Sequence, residues 1–165
     1  MAVESVPGII APSEMTALLN ATVCRATVKS NYITSFICTI DTVTNTMRYT
    51  NAGHLPPLLH NPAGNDCVEL NAKGIPLGLF SDMAIEEKML QLKPGDRILL
   101  YTDGIIECTN SGREIYGINR LKEYLRTHRG TTPESFIEGL VRDLNAFSGS
   151  PRFDDDLTLV VLDVE

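Results

Sequence analysis

The feature that most constrains this chain is a pair of apolar runs that each carry carboxylates at one end. Pro94-Gly95-Asp96-Arg97-Ile98-Leu99-Leu100-Tyr101-Thr102-Asp103-Gly104 closes a strand-like run on Asp103, and Asp154-Asp155-Asp156-Leu157-Thr158-Leu159-Val160-Val161-Leu162 opens a second run on three carboxylates. Such runs suit buried strands, and a fold that sets the two acidic ends together makes an oxygen-rich place for a hard cation. Three adjacent carboxylates repel one another, and a nearby cation relieves that repulsion. From periodicity alone, Asp103 reads first as an ordinary turn residue at a strand end, since such turns are common, and Asp154 to Asp156 read equally as a cation site or a solvated acidic turn.

The chain has 165 residues, 43% of them hydrophobic, which is enough for one domain with a real core, and no Pro/Gly/Ser-rich linker divides it. A net charge of -7, with 14 Lys and Arg scattered among 21 acids, argues against a nucleic-acid surface, which needs a basic stripe. Cys24, Cys38, Cys67 and Cys108 lie in separate elements without C-x-x-C spacing, so reduced thiols in a cytoplasmic protein are expected. No apolar run approaches the ~20 residues that span a bilayer, so no direct membrane insertion is expected.

Residues 1–12 carry Pro7 and Gly8 without periodicity and read as an irregular lead; residues 13–165 read as a single domain. Ser13 to Val28 is expected to be a helix whose stripe of Met15, Leu18, Leu19, Thr22 and Ala26 covers a sheet. Tyr32 to Asp41 and Met47 to Asn51 form one hairpin, and Pro57 to His60 with Cys67 to Leu70 a second. Strands follow at Ala84 to Leu92 and Arg97 to Thr102, separated by the turn Lys93-Pro94-Gly95-Asp96. Two amphipathic helices come next, Gly117 to His128 and one capped by Thr132 with Pro133 first, before a last strand at Leu157 to Val164. Strands grouped together with helices on their faces give an α+β class.

The chemistry is narrowed by what is missing. There is no G-x-S-x-G elbow, no Cys in an Arg-rich phosphate loop and no G-x-x-x-x-G-K motif, so covalent and nucleotide-binding mechanisms lack their parts. His54 titrates near neutral pH, but the rigid Leu55-Pro56-Pro57 that follows suits a His held by backbone hydrogen bonds. His60 and His128 have no partner residues in sequence and are expected at the surface.

The two acidic stretches, with Asn51-Ala52-Gly53-His54-Leu55-Pro56-Pro57-Leu58-Leu59 and Gly74-Ile75-Pro76-Leu77-Gly78-Leu79-Phe80, closely resemble the SpoIIE and RsbU branch of the metal-dependent PPM (protein phosphatase 2C-like) serine/threonine phosphatases. All four occur in the family's order with similar spacing, from about Ser13 to the last strand. The resemblance implies an antiparallel β-sandwich flanked by helices and a two-metal Mn2+ or Mg2+ centre at one end. It makes Asp103 and Asp155 metal ligands, with Gly104 and Asp156 beside them, Asp156 hydrogen-bonding the adjacent loop and Asp154 solvated. The Asn-Ala-Gly-His motif becomes a structural signature.

The resemblance also implies a reaction and a gap. In the family, metal-activated water attacks a phosphoserine or phosphothreonine, and the substrates are small phosphorylated anti-sigma-factor antagonist proteins of bacterial signalling. Two further acidic motifs of the family, a Gly-Asp-Tyr/Phe-Tyr-Asp strand and an Asp-Val-Ser-Gly-His-Gly loop, have no counterpart here, since Met1 to Ala26 contain no Asp. The chain therefore resembles the C-terminal two thirds of such a domain. With two of four carboxylates, it is expected to turn over slowly or not at all, and a catalytically inactive binding or regulatory module is the alternative. Sheet edges left open by missing strands would offer a contact for a homodimer.

Overall fold

The computed structural model describes residues 10–26, 31–62, 66–150, 153 and 155–165. They fall into two units, the first built from residues 1–56 and 71–92 and the second from residues 57–70 and 93–165. The irregular lead expected before residue 10, the end of the first helix at Val28, and Asp154 lie outside the described residues.

The first unit is a three-stranded antiparallel sheet with one helix. Helix α1 (Pro12–Ala26) starts on a proline, which suits the first helical position because its missing N–H has no intrahelical partner there. Strands β1 (Ser35–Asp41) and β2 (Thr46–Ala52) form the expected hairpin. Its turn is tied by Asp41 Oδ1, which accepts from the Val43 and Thr44 N–H groups at 2.8 and 3.1 Å.

The expected face of α1 is corrected by the structure. Leu18 and Leu19 are 59% and 39% exposed, whereas Thr16 and Asn20 are 1% and 2% exposed. Polar contacts seat the helix instead of the leucine stripe. The Thr16 and Thr50 hydroxyls meet at 2.7 Å, and Asn20 Nδ2 donates to the Phe80 carbonyl at 2.9 Å. Asn20 Oδ1 accepts from Gly78 N–H at 2.9 Å. At the helix start, Ser13 N–H donates to Glu87 Oε2 at 2.9 Å, and Arg48 Nε donates to Glu87 Oε1 at 2.7 Å.

That seat has a pH dependence. Burial pushes the Glu87 carboxyl up, but the hydrogen bonds from Ser13 and Arg48 outweigh it and hold the group below the usual glutamate range. A carboxyl depressed in the folded state adds stability above its unfolded value and loses it as pH falls through the folded value. Glu87→Gln is therefore expected to remove about 1–2 kcal/mol at neutral pH and to flatten the acid side of the stability curve. Urea midpoints measured from neutral pH down to about pH 3 check this; parallel curves for the two proteins would refute it.

Strand β5 (Lys88–Gln91) pairs with β2 and completes this sheet in the order β1-β2-β5. It is shorter than the expected run from Ala84, whose first four residues stay irregular.

The second unit is a four-stranded antiparallel sheet in the order β4-β3-β6-β7. Its strands are β3 (Leu58–Asn61), β4 (Asp66–Glu69), β6 (Arg97–Tyr101) and β7 (Leu159–Asp163). The turn before β6 is closed by Asp96, which accepts from Lys93 N–H at 2.8 Å and Asn61 Nδ2 at 2.6 Å. His60, expected at the surface, is fully buried, because β3 lies between β4 and β6. His128 is half-buried and stacks on Tyr124 with ring centroids 3.9 Å apart.

Helices α3 (Gly117–Thr127) and α4 (Pro133–Ser148) match expectation closely. Thr132 Oγ1 accepts from Ser135 N–H at 3.3 Å, and Gly149 ends α4 in the left-handed conformation at φ 70°. Leu121, Leu125, Phe136, Leu140 and Leu144 are fully buried and form much of this unit's core. Helix α2 (Asp103–Ile106) was not expected, since Asp-Gly after a strand reads as a turn.

Candidate metal and phosphate site

The site lies within the second unit, where β6 and β7 run side by side. Their register pairs Tyr101 with Leu159, so the chain leaving β6 and the chain entering β7 meet at the same end of the sheet. Thr102 ties them together. Its N–H donates to the Thr158 carbonyl at 3.2 Å, and its Oγ1 donates to the Asp156 carbonyl at 3.2 Å and accepts from Thr158 N–H at 3.0 Å.

Asp103 then opens α2 as its first residue and is exposed, with Oδ1 accepting from Gly104 N–H at 3.1 Å. Gly104 is buried, and a Cβ there would lie 2.7 Å from the Asp156 carbonyl oxygen. The glycine is therefore required by close approach of the two segments. On the other segment Asp155 is exposed, and its Oδ1 accepts from Asp156 N–H at 2.8 Å. The structure thus brings together the four residues singled out in the sequence, Asp103, Gly104, Asp155 and Asp156. Asp156 joins the neighbouring loop through its backbone carbonyl, and its side chain is exposed.

Beside them is a cavity of about 120 Å³ lined by Gly104, Glu107, Cys108, Thr109, Ser148, Phe153 and Asp155. Sequence reasoning missed Glu107 and Thr102. Glu107 stands four residues after Asp103, the spacing that stacks two side chains on one helical face, and that signal becomes readable once α2 is known to be helical. Next to the site, burial and then the charge of Glu69 push the Tyr101 hydroxyl up to about 12, so it stays protonated at neutral pH.

The donors suit a hard divalent cation. Mg2+ is commonly held by one or two carboxylates and several waters, and Asp103 and Asp155 offer that set. Among the described residues no group of three or more His, Cys, Asp or Glu is placed to share one ion. The residues present therefore fit a weakly held, largely hydrated cation.

His54 is placed as expected for a structural residue. Asn51 Nδ2 donates to the His54 carbonyl at 2.9 Å and Asn51 Oδ1 accepts from His54 N–H at 2.8 Å. The turn also packs against Gly74, where a Cβ would collide with the Asn51 carbonyl oxygen. Cys24, Cys38, Cys67 and Cys108 are half-buried.

Comparison with known proteins gives the chain relatives and structural neighbours. The chain is 27% identical over 162 residues to the phosphoserine phosphatase RsbU of Bacillus subtilis (strain 168), covering 98% of this chain and 48% of RsbU. It thus spans about half the length of that relative. The phosphatase domain of SpoIIE from Bacillus subtilis, in a manganese-presoaked form, aligns over 96% of this chain and 68% of its own, with 21% identity and a TM-score of 0.66. The SiaA-PP2C domain of Pseudomonas aeruginosa aligns over 94% of this chain and 60% of its own, with 18% identity and a TM-score of 0.79. These likenesses carry the fold, mixed helix and strand with antiparallel sheets as in PP2C-type phosphatase domains. The family model for stage II sporulation protein E (SpoIIE) matches residues 2–165, and the chain belongs to that family.

Proposed function

We propose that this chain is a metal-dependent protein serine/threonine phosphatase domain of the SpoIIE and RsbU type. The observation that carries this reading is the meeting of Asp103-Gly104 with Asp155-Asp156, tied by Thr102 and permitted by a glycine where a Cβ would lie 2.7 Å from the Asp156 carbonyl oxygen. Asp103 and Asp155 hold Mn2+ or Mg2+, Gly104 and Asp156 shape the site, and residues 13–165 act as one domain. When bound, the ions supply Lewis acidity toward water and the phosphoryl group. The relative RsbU is a phosphoserine phosphatase and the SpoIIE neighbour was presoaked in manganese, which supports both the reaction and the metal. A phosphorylated anti-sigma-factor antagonist is the substrate class by the same analogy. A cytoplasmic location accords with the lack, among the described residues, of a helix long and apolar enough to cross a membrane.

A second reading is favoured by one observation. The missing third carboxylate among the described residues suits a module that binds a partner without turning it over. Phosphate release from a phosphoserine protein, followed with and without Mn2+ in the parent chain, Asp103→Ala and Asp155→Ala, separates the two. Slow Mn2+-dependent release that either substitution abolishes is the expected result. Folded protein that binds Mn2+ without release would establish the module, and release that survives Asp103→Ala would remove the site from the reaction.

A further inference from the structure

Beyond the carboxylates, the second unit carries a basic residue held in an uncommon way. After α2 the chain makes a short hairpin closed by a bridge between Thr109 and Ile115. Asn110 braces it from within: its Oδ1 accepts from Gly112 and Glu114 N–H at 2.9 and 3.0 Å, and its Nδ2 donates to Glu114 Oε2 at 3.2 Å. Arg113 N–H donates to the Asn110 carbonyl at 2.9 Å. At the tip Arg113 sits at φ 62°, in the left-handed region that L side chains rarely adopt, although Gly112 stands next to it. Non-glycine residues persist there when the surroundings over-determine them, and such residues cluster at ligand clamps.

The other described cations of this unit are occupied or distant. Arg97, Arg120, Lys122, Arg126 and Arg142 each pair with a carboxylate. Lys93 precedes β6, at the end opposite Asp103, and Arg129 follows His128, which lines a groove between α3 and α4. Arg113 is exposed and makes no side-chain hydrogen bond or ion pair among the described residues. Its hairpin begins at Thr109, which lines the same cavity as Gly104 and Asp155.

We propose that Arg113 is the residue that grips the phosphate of a protein-borne phosphoserine as it enters the site, a specificity role that rests on the phosphatase reading. A site edged by Asp103, Glu107 and Asp155 repels a dianion until something positive meets it, and a guanidinium presents a fork that matches two phosphate oxygens. The braced hairpin, which starts at the cavity-lining Thr109, holds the Arg113 backbone in place, so less ordering is needed on binding than for an arginine on an unbraced loop.

The test is fluorescence anisotropy of a labelled Gly/Ala peptide carrying one phosphonate analogue of phosphoserine, which cannot be hydrolysed, against its serine twin, in Mg2+. The parent chain is expected to bind the phosphonate peptide more tightly than its twin. Arg113→Ala should erase most of that preference, about tenfold in affinity. Arg113→Lys should restore part of it, and Arg129→Ala should change nothing. Equal binding of the two peptides by the parent chain, unchanged binding in Arg113→Ala, or displacement by an equimolar amount of inorganic phosphate would overturn the proposal. Because the probe is not turned over, a failure of phosphate release leaves this readout intact.

Discussion

Arg97→Ala is expected to lower the stability of the chain by about 3 kcal/mol, the largest loss from any single charged residue in the second unit. Arg97 is 3% exposed, and its guanidinium makes four contacts at once. Nε and Nη2 donate to the two carboxylate oxygens of Asp163 at 2.6 and 2.7 Å, and Nη1 and Nη2 donate to the carbonyls of His128 and Thr131 at 3.1 and 2.5 Å. The group also lies 5.1 Å from the Phe136 ring centroid. It therefore pins the α3 to α4 connection onto β6 and β7. Truncation takes the Arg97 donor from the part-buried Thr131 carbonyl, while the His128 carbonyl keeps the Thr131 hydroxyl at 2.8 Å, and it leaves Asp163 without its counterion, a term that is modest because Asp163 is 34% exposed. Urea unfolding should show a lower midpoint at unchanged slope. Arg97→Met, which keeps the apolar stem, should lose less. A loss below about 1 kcal/mol would show that the network contributes little beyond its geometry.

How much of this was legible in the sequence depends on how far apart the partners lie. Helix α4 could be read almost whole, because its cap Thr132, its first-position Pro133 and its stripe of Phe136, Leu140 and Leu144 are local signals. Helix α1 could be read as a helix but not for its inward face. That face is set by Thr50, Gly78, Phe80 and Glu87, which lie 34 to 74 residues from their partners on the helix, and a polar seat leaves no trace in a hydrophobic stripe. His60 misled for a related reason. A polar residue in a short strand reads as exposed, and only the strand order β4-β3-β6-β7 reveals that its strand is internal.

The site divides in the same way. Asp103 and Asp155 could be singled out by motif, since each lies at the acidic end of an apolar run that resembles the family's pattern. The residues that make them neighbours were not assigned that role. Thr102 bridges 54 residues to the Asp156 carbonyl, and a threonine before Asp-Gly carries no local sign of such a bond. Nor does Asp-Gly distinguish a turn from the first residues of α2, because both conformations accept the pair. Gly104 could be explained by backbone freedom or by clearance, and the structure selects clearance, since Gly104 is not among the residues with positive φ.

That selection gives Gly104→Ala a sign that helix propensity alone would reverse. In a helix, alanine is favoured over glycine by about 1 kcal/mol, so on local grounds the substitution stabilises α2. The added Cβ, however, would sit 2.7 Å from the Asp156 carbonyl oxygen and 3.2 Å from Leu157 Cδ2. The nearer atom is backbone, held by the Thr102 hydroxyl at 3.2 Å, and cannot swing aside as a side chain end can. Overpacking of this kind typically costs about 1–3 kcal/mol, so a net loss of about 1 kcal/mol is expected. The effect on the site should be larger than the effect on stability. Relief of the overlap drives the segment bearing Asp155 away from the segment bearing Asp103, and a cation that depends on both carboxylates loses its shared coordination. Mn2+ affinity, measured by calorimetric titration, is expected to fall at least about tenfold, approaching that of Asp103→Ala. A Gly104→Ala protein that is more stable than the parent and binds Mn2+ equally well would mean that the two acidic segments do not act as one centre.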